Sequence, residues 1–262
     1  MPWQRIGIIG KPAAAEASLE VIKEVCSLLT EWQYTIFCEA HIAQLLNFEN
    51  IHCYSPEQLA QESDLILVIG GDGSMLNAAR IAVLYHKPVL GINRGQLGFL
   101  TDISPNQLKD RLYKTLKGDF WKEERHLLCG NILNQSNEKV TQIALNEIVL
   151  SLGTSGQLLT FSLWINDCFV CEQRADGLII STPTGSTAYA LSAGGAVMDP
   201  HIKAFQIVPI AAHSLNSRAH VVSDEQEIVL ISKDLSNPFY IQADGQELIE
   251  LKPGSKIVVR KA

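Results

Sequence analysis

No Gly-x-x-x-x-Gly-Lys-Ser/Thr segment occurs anywhere in the chain, which excludes the lysine-bearing phosphate loop of the P-loop enzymes. A Gly-x-Gly-x-x-Gly frame fails as well: counted from Gly71 it meets Gly73 and then Leu76. Positive charge is scarce. Lys and Arg number 21 against 28 Asp and Glu, a net charge of −7, which argues against a nucleic-acid or polyanion binder while leaving room for a local basic pocket. No apolar run is long enough to span a bilayer, and the opening Met1-Pro2-Trp3-Gln4-Arg5 has no signal-peptide core behind it, so no membrane attachment and a cytoplasmic location are expected. Cysteines stand at 26, 38, 53, 129, 168 and 171 with a single Cys-x-x-Cys, Cys168 to Cys171. A zinc ribbon needs a second such pair and a thioredoxin motif opens a helix. This pair lies in a strand-like run, where i and i+3 point to opposite faces, and reduced structural thiols are the reading. There is no internal repeat and no low-complexity linker, only a turn at Gly153-Thr154-Ser155-Gly156.

What is present is an ordinary globular composition, 47% hydrophobic and 19% charged over 262 residues, enough for one large domain or two modest ones. It is organised around Leu65-Ile66-Leu67-Val68-Ile69-Gly70-Gly71-Asp72-Gly73-Ser74. The apolar run reads as a strand buried on both faces. The glycines allow a tight turn and a close approach of backbone N–H groups to a ligand, and the pattern from Ser74 to His86 reads as a helix. A strand, a glycine turn and a helix start favour an anion. Asp72 is out of place there, because a carboxylate repels phosphate, unless it holds a metal or accepts a proton.

Around that centre, short apolar strands at 5–9, 34–38, 52–54, 65–69 and 88–92 alternate with helices at 13–32, at 55 onward (Ser55 as N-cap, Pro56 at N1) and at 74–86. This predicts a Rossmann-like parallel α/β domain with right-handed crossovers. Its ligand loops, 70–73 and 93–98, then fall beyond the carboxyl ends of the strands. After a helix at about 105–116 the texture changes to strands at 140–152, 158–166, 169–174, 177–181, 205–211, 227–232 and 239–243. A mostly antiparallel, sandwich-like β domain is expected. The boundaries read as 1–104 for the α/β domain and 105–247 for the β-rich domain, with the tail at about 248–262 free to pack back on the first.

Two β-domain stretches carry chemistry. In Ala144-Leu145-Asn146-Glu147-Ile148 a polar pair interrupts an apolar strand; strand alternation sends Asn146 and Glu147 to opposite faces, so one of them points at something enclosed and needs partners. From Arg174 to Gly195 an apolar strand enters a hydroxyl-rich Pro/Gly turn and a short helix that Ser186 can N-cap. Small residues let a ligand lie against the backbone, hydroxyls can bond phosphate or sugar oxygens, and Tyr189 offers a flat surface to a base.

Together, Gly70-Gly71-Asp72-Gly73, Asn93-Arg94-Gly95 with Leu97-Gly98-Phe99, Asn146-Glu147, and Asp176-Gly177 through Thr182-Pro183-Thr184-Gly185-Ser186-Thr187-Ala188-Tyr189 resemble the ordered motif set of the NAD kinases. The first element is shared with diacylglycerol-type lipid kinases and phosphofructokinases; the last is far more specific. The resemblance implies transfer of the ATP γ-phosphoryl group to the 2′-hydroxyl of the adenosine ribose of NAD, with a divalent cation such as Mg2+ whose ligands stay open. It implies Asp72 as base, Gly70, Gly71 and Gly73 as phosphate loop, and Gly73 and Phe99 lining the site. Asn146 and Glu147 then bind the adenine or ribose side, Asp176 the nicotinamide amide, and Thr184, Thr187, Ala188, Tyr189, Ala190, Leu191 and Ser192 the dinucleotide. Arg174 matches a position tied to substrate choice or the neighbouring subunit; Ala211 and Gln246 are further ligand contacts. NAD and ATP are the implied partners, with no nucleic acid and no membrane, in a homo-oligomer that is a tetramer or a dimer. A lipid kinase and a silent NAD(P) sensor remain as alternatives, and NAD versus NADH, or ATP versus polyphosphate, stays open.

Overall fold

The computed structural model describes residues 3–10, 16–44, 51–94, 98–133, 139–152, 158–214, 217–233, 239–252 and 254–262. They divide into two compact units, 1–122 and 123–262. The boundary therefore lies later than 104. The helix Leu108–Leu116 buries Leu108, Leu112 and Leu116 among Ile92, Ile103 and the first-unit strands, and an apolar stripe stays with the sheet that covers it.

The first unit runs β1 (Arg5–Gly10), α1 (Glu16–Glu31), β2 (Thr35–Glu39), α2 (Ala40–Ala43), β3 (Ile51–Tyr54), α3 (Pro56–Glu62), β4 (Leu65–Ile69), α4 (Asp72–Ala82), β5 (Val89–Ile92) and α5 (Leu108–Leu116). Its 5-stranded sheet has the order β3-β2-β1-β4-β5, every pair parallel. All of β4 is buried because both its faces are covered: Leu65, Leu67 and Ile69 face the α1 and α5 side, Ile66 and Val68 the α3 and α4 side. Each such side chain contributes about 1.5–3 kcal/mol. The expected cap of α3 is a full capping box, with Ser55 and Gln58 exchanging side-chain and backbone bonds. Strand order reverses between β1 and β4, and open α/β sheets bind ligands beyond the strand ends at that point. The chain leaving β4 there is the glycine turn.

The second unit contains β6 (Leu128–Leu133), β7 (Lys139–Ala144), β8 (Glu147–Ser151), β9 (Leu159–Ile165), β10 (Cys168–Ala175), β11 (Gly177–Ser181), α6 (Tyr189–Ser192) and β12 (Ala204–Ile210). It continues with β13 (His220–Ser223), β14 (Ile228–Ser232), β15 (Phe239–Ala243), β16 (Ile249–Leu251) and β17 (Lys256–Lys261). Two 6-stranded antiparallel sheets form, β10-β9-β14-β17-β6-β7 and β13-β12-β11-β8-β15-β16. Their inner faces share one core, with Phe161, Leu230 and Ile257 from the first meeting Phe205, Ile180 and Phe239 from the second, a sandwich as expected. The tail does not return to the first unit: β17 pairs β14 and β6 inside this sandwich.

Three local expectations change. The run 140–152 is two strands, not one. β7 ends at Ala144 in one sheet and β8 begins at Glu147 in the other, so Leu145 and Asn146 form a crossing between sheets. Cys168 and Cys171 share a face: a bulge between Phe169 and Cys171 leaves Cys168 opposite Ile165 and Cys171 opposite Leu163. Both thiols are nevertheless free, like the other four. Ser186 caps no helix; α6 starts after Ala188 with no side-chain cap. The Gly153–Gly156 turn lies outside the described residues.

Candidate functional site

In the first unit, helix α4 starts earlier than its apolar pattern suggests, so Gly71 is the N-cap and Asp72 and Gly73 stand in the first turn. The first N–H groups of a helix have no carbonyl one turn back, and they add to the positive end of the helix dipole. Gly70 makes room for its own turn: a Cβ there would meet Ser74 Oγ at 2.3 Å. Gly71 and Gly73 differ. A Cβ at either would meet nothing within 4 Å, and neither has positive φ. Nothing within the described residues, in sterics or conformation, calls for glycine at these positions.

Asp72 is half-buried beside that open surface. Its carboxylate accepts the Phe99 N–H at 3.1 Å and the Leu100 N–H at 3.0 Å. The loop beyond β5 delivers those donors because it folds back on the strand. Asp102 and Ile103 donate to the Gly91 carbonyl, Asn93 donates to the Ile103 carbonyl, and a Cβ on Gly91 would meet Leu100 O and Thr101 Cα at 2.9 Å. Gly98 is tighter still, since its Cβ would meet Asp72 Oδ1 at 2.2 Å. The carboxylate is thus held in place with a lone pair left on each oxygen. Phe99 is 82% exposed, and Gly95, Gln96 and Leu97 lie outside the described residues.

In the second unit the crossing between sheets is held from both sides. Asp244, 7% exposed, accepts the N–H groups of Leu145 at 2.9 Å, Asn146 at 2.7 Å and Glu147 at 3.2 Å. Thr182 donates its hydroxyl to Leu145 O at 2.5 Å and its N–H to Asn146 O at 2.9 Å. Gly185 packs directly on this backbone, where a Cβ would meet Asn146 O at 2.2 Å. Asp244 occupies a tight turn, with φ 48° at Asp244 and 67° at Gly245, closed by the Gln246 N–H on Ala243 O at 2.9 Å. Asp and Gly tolerate such angles.

Glu147 is the enclosed member of the polar pair, and Asn146 is half-buried. Burial, then the nearby charge of Asp244, push the Glu147 carboxyl up to about 7, opposed by the hydrogen bond it accepts from the Tyr189 N–H. Tyr189, Leu191 and Ser192 are exposed on the helix, while Ala190 is buried against Val149, Ile179 and Val208, so Ala190 has only backbone to offer a ligand. Thr184 accepts from the Arg125 guanidinium at 3.3 Å, Thr187 is exposed and Ala188 half-buried. Ser186 donates to Pro183 O at 2.7 Å and accepts the Met198 N–H at 3.0 Å.

The remaining expected residues do not join this group. Glu147 pairs Ser181 at one end of β11, whereas Gly177 pairs Ile210 and Ser151 at the other. Asp176 donates its N–H to Ile210 O at 2.9 Å, and Arg174 O accepts from His213 at 2.9 Å. Arg174, Asp176 and Ala211, the last at φ 46°, therefore gather a strand length away, about 17 Å. Gln246 is exposed beside the Asp244 turn. Asp244, Thr182, Gly185 and Gly98 are organising residues; the last three stood in the sequence motifs without a role of their own, and the reach of the Asp244 carboxylate across about a hundred positions of chain has no local signature.

Among the described residues no group of three or more His, Cys, Asp or Glu is arranged to hold a metal, and no helix is long and apolar enough to cross a membrane.

Two family models match, an ATP-NAD kinase N-terminal domain over residues 6–120 and an ATP-NAD kinase C-terminal domain over 145–262. The chain is 43% identical to a protein named NAD kinase from Coxiella burnetii over 99% of this chain and 86% of that one. It is 41% identical to one from Pseudomonas entomophila over 99% and 88%. Among solved structures it is similar to a yeast NADH kinase complexed with NADH, with TM-score 0.92 and 25% identity over 100% of this chain and 81% of the other. It is also similar to an NAD kinase from Archaeoglobus fulgidus in complex with ATP, with TM-score 0.75 and 26% identity over 98% and 90%.

Proposed function

The chain belongs to the NAD kinase family, and from that premise we propose how its residues divide the work of phosphorylating NAD with ATP to give NADP and ADP. The glycine turn and the first N–H groups of α4 receive phosphate oxygens. Asp72 takes the proton of the 2′-hydroxyl as phosphoryl transfer proceeds, because an un-ionised ribose hydroxyl is a weak nucleophile and a held carboxylate beside it supplies the base. Phe99, whose ring is exposed, is assigned to line the site. The observation that carries the reading is the open face at Gly71 and Gly73 next to a carboxylate pinned by Phe99 and Leu100.

The second unit binds the dinucleotide. Asn146 and Glu147 take the adenine or ribose side, and Thr184, Thr187, Ala188, Tyr189, Leu191 and Ser192, with the backbone of Ala190, take the rest; Gln246 adds a polar edge. Mg2+ is held through one or two carboxylates together with substrate phosphates, so the residues present fit a cation that arrives on ATP and meets Asp72. When bound, it neutralises charge on the transferring phosphates.

Asp176, Arg174 and Ala211 sit at the far end of β11 from Glu147, and we assign them to a neighbouring copy's dinucleotide, with Asp176 accepting from the amide. The enzyme is then a homo-oligomer, a tetramer more readily than a dimer. The eight-residue edge strand β10, with Phe169 and Val170 exposed, offers a surface for assembly. Six free thiols suit a reducing cytoplasm. Incubating the pure protein with ATP, Mg2+ and NAD and assaying NADP tests the reaction. Light scattering with dilution during that assay tests the assembly: full activity from a monomer removes the role given to Asp176.

A further inference from the structure

Helix α6 lies over the outward face of its sheet beside two buried polar side chains. At its start the Tyr189 N–H faces the Glu147 carboxyl of β8 and favours its ionised form. At its end Gly194, at φ 89°, and Gly195 close a Schellman motif, their N–H groups reaching Leu191 O at 3.0 Å and Ala190 O at 2.8 Å. The next N–H, that of Ala196, goes to Gln206 Oε1 of β12 at 3.0 Å. Gly195 is pressed against this amide: a Cβ there would meet Gln206 Oε1 at 2.7 Å.

Glu147, Ser181 and Gln206 form one row across β8, β11 and β12, since Glu147 pairs Ser181 and Ser181 pairs Gln206. They are 7%, 0% and 0% exposed. Among the described residues Glu147 Oε2 and Gln206 Nε2 are buried without hydrogen-bond partners, one an acceptor and the other a donor. Ser181, the short residue between them, turns its hydroxyl onto Thr182 O at 2.9 Å and keeps lone pairs free. A buried donor left unsatisfied costs about 1–3 kcal/mol, and internal water answers such groups where two to four polar partners converge.

We propose that an ordered water molecule bridges Gln206 Nε2 to Glu147 Oε2 over Ser181, making Gln206 the positioning residue that sets both the Glu147 carboxylate and the Tyr189 helix. It acts on the dinucleotide through Glu147 and Tyr189, and in that respect rests on the reading above. The charged group acting on Glu147 from the other side is Asp244, at the end of β15, while α6 presents the Tyr189 N–H. The bridge supplies a donor to the ionised form, and donors favour the charged carboxylate.

The test is made on the ligand-free protein. Carbon-13 labelling of glutamate, with Glu147→Gln to assign the signal, follows the Glu147 titration in wild type, Gln206→Leu and Gln206→Glu. Gln206→Leu removes both amide atoms; Gln206→Glu keeps an acceptor for Ala196 and puts an acceptor where the donor stood. The midpoint of Glu147 is expected to rise in both by about one pH unit, a tenfold change in the proton equilibrium. A crystal structure of the wild type is expected to contain a water within hydrogen-bond distance of both atoms. An unchanged midpoint in a folded variant, or direct packing of the two side chains with no water, overturns the proposal. NAD affinity on the same variants reports separately: a shifted midpoint with unaltered NAD binding keeps the bridge and removes Glu147 and Tyr189 from the dinucleotide reading.

Discussion

The two units use the same device for different ends. In each, a carboxylate beside a turn collects backbone N–H groups from a distant segment. Asp72 takes Phe99 and Leu100; Asp244 takes Leu145, Asn146 and Glu147. Asp244 is 7% exposed and has a donor on both oxygens, with Oδ1 holding two; its task ends with holding the crossing between sheets. Asp72 stands half-open beside glycines with nothing above them, so its fixed orientation is available to a substrate. The hydrogen bonding is alike, and exposure separates the anchor from the carboxylate proposed as base.

Replacing each in turn should break the likeness. Asp244→Ala leaves three N–H groups, two of them buried, without their acceptor and should destabilise the protein by about 3 kcal/mol or more, read as a lowered denaturant midpoint, with activity lost only as structure is lost. Glu147→Gln sharpens the contrast through pH. The folded Glu147 value of about 7 lies above its ordinary 4.5, so its neutral form is favoured in the fold. The penalty is absent below 4.5, grows as pH rises toward about 7 and is constant above. The variant should therefore match wild type in stability near pH 4 and exceed it by up to about 3 kcal/mol at pH 8; equal pH profiles in chemical denaturation reject the assignment. Asp176→Ala should weaken NAD binding by about tenfold to a hundredfold in calorimetry, the worth of one charge-assisted hydrogen bond, and leave ATP binding nearly unchanged. Gly73→Ala has the smallest expected effect on the fold. With open space at its Cβ and a helical position, the variant should gain about 0.5–1 kcal/mol of stability. Its KM for ATP should nevertheless rise, and an unchanged KM would show that no ligand touches the turn.

Much of this was legible beforehand because it is local. The double-faced burial of β4 follows from its unbroken apolar run, the α3 cap from Ser55 and Pro56, and an enclosed polar side chain from the Asn146-Glu147 pair inside an apolar stretch, though not which of the two it is. What stayed hidden depends on long-range contact. Strand alternation alone joins 140–152 into one element, and the break at Leu145 becomes affordable only because Asp244 and Thr182, far along the chain, satisfy its backbone. The same limit applies to Gly98, whose glycine is demanded by Asp72 rather than by its own turn, to the tail strand β17, placed by β6 and β14, and to Ser186, whose hydroxyl is claimed by Met198. The bulge that brings Cys168 and Cys171 to one face has no signature in Cys-x-x-Cys. The resemblance gave Asp176 and Glu147 different parts of the dinucleotide, and the strand length between them follows only from the register of β11.

The central claim is that Asp72 is a base held ready by the chain. Its most direct test is Asp72→Asn, assayed for NADP formation at saturating ATP, Mg2+ and NAD, with NAD affinity and thermal midpoint measured on the same sample. The amide keeps an oxygen for one of the two backbone donors but takes no proton. NADP formation should fall by about 10²–10⁴-fold while NAD binds within about an order of magnitude of wild type and the protein stays folded. Turnover near the wild-type rate would show that Asp72, however well held, is not the base.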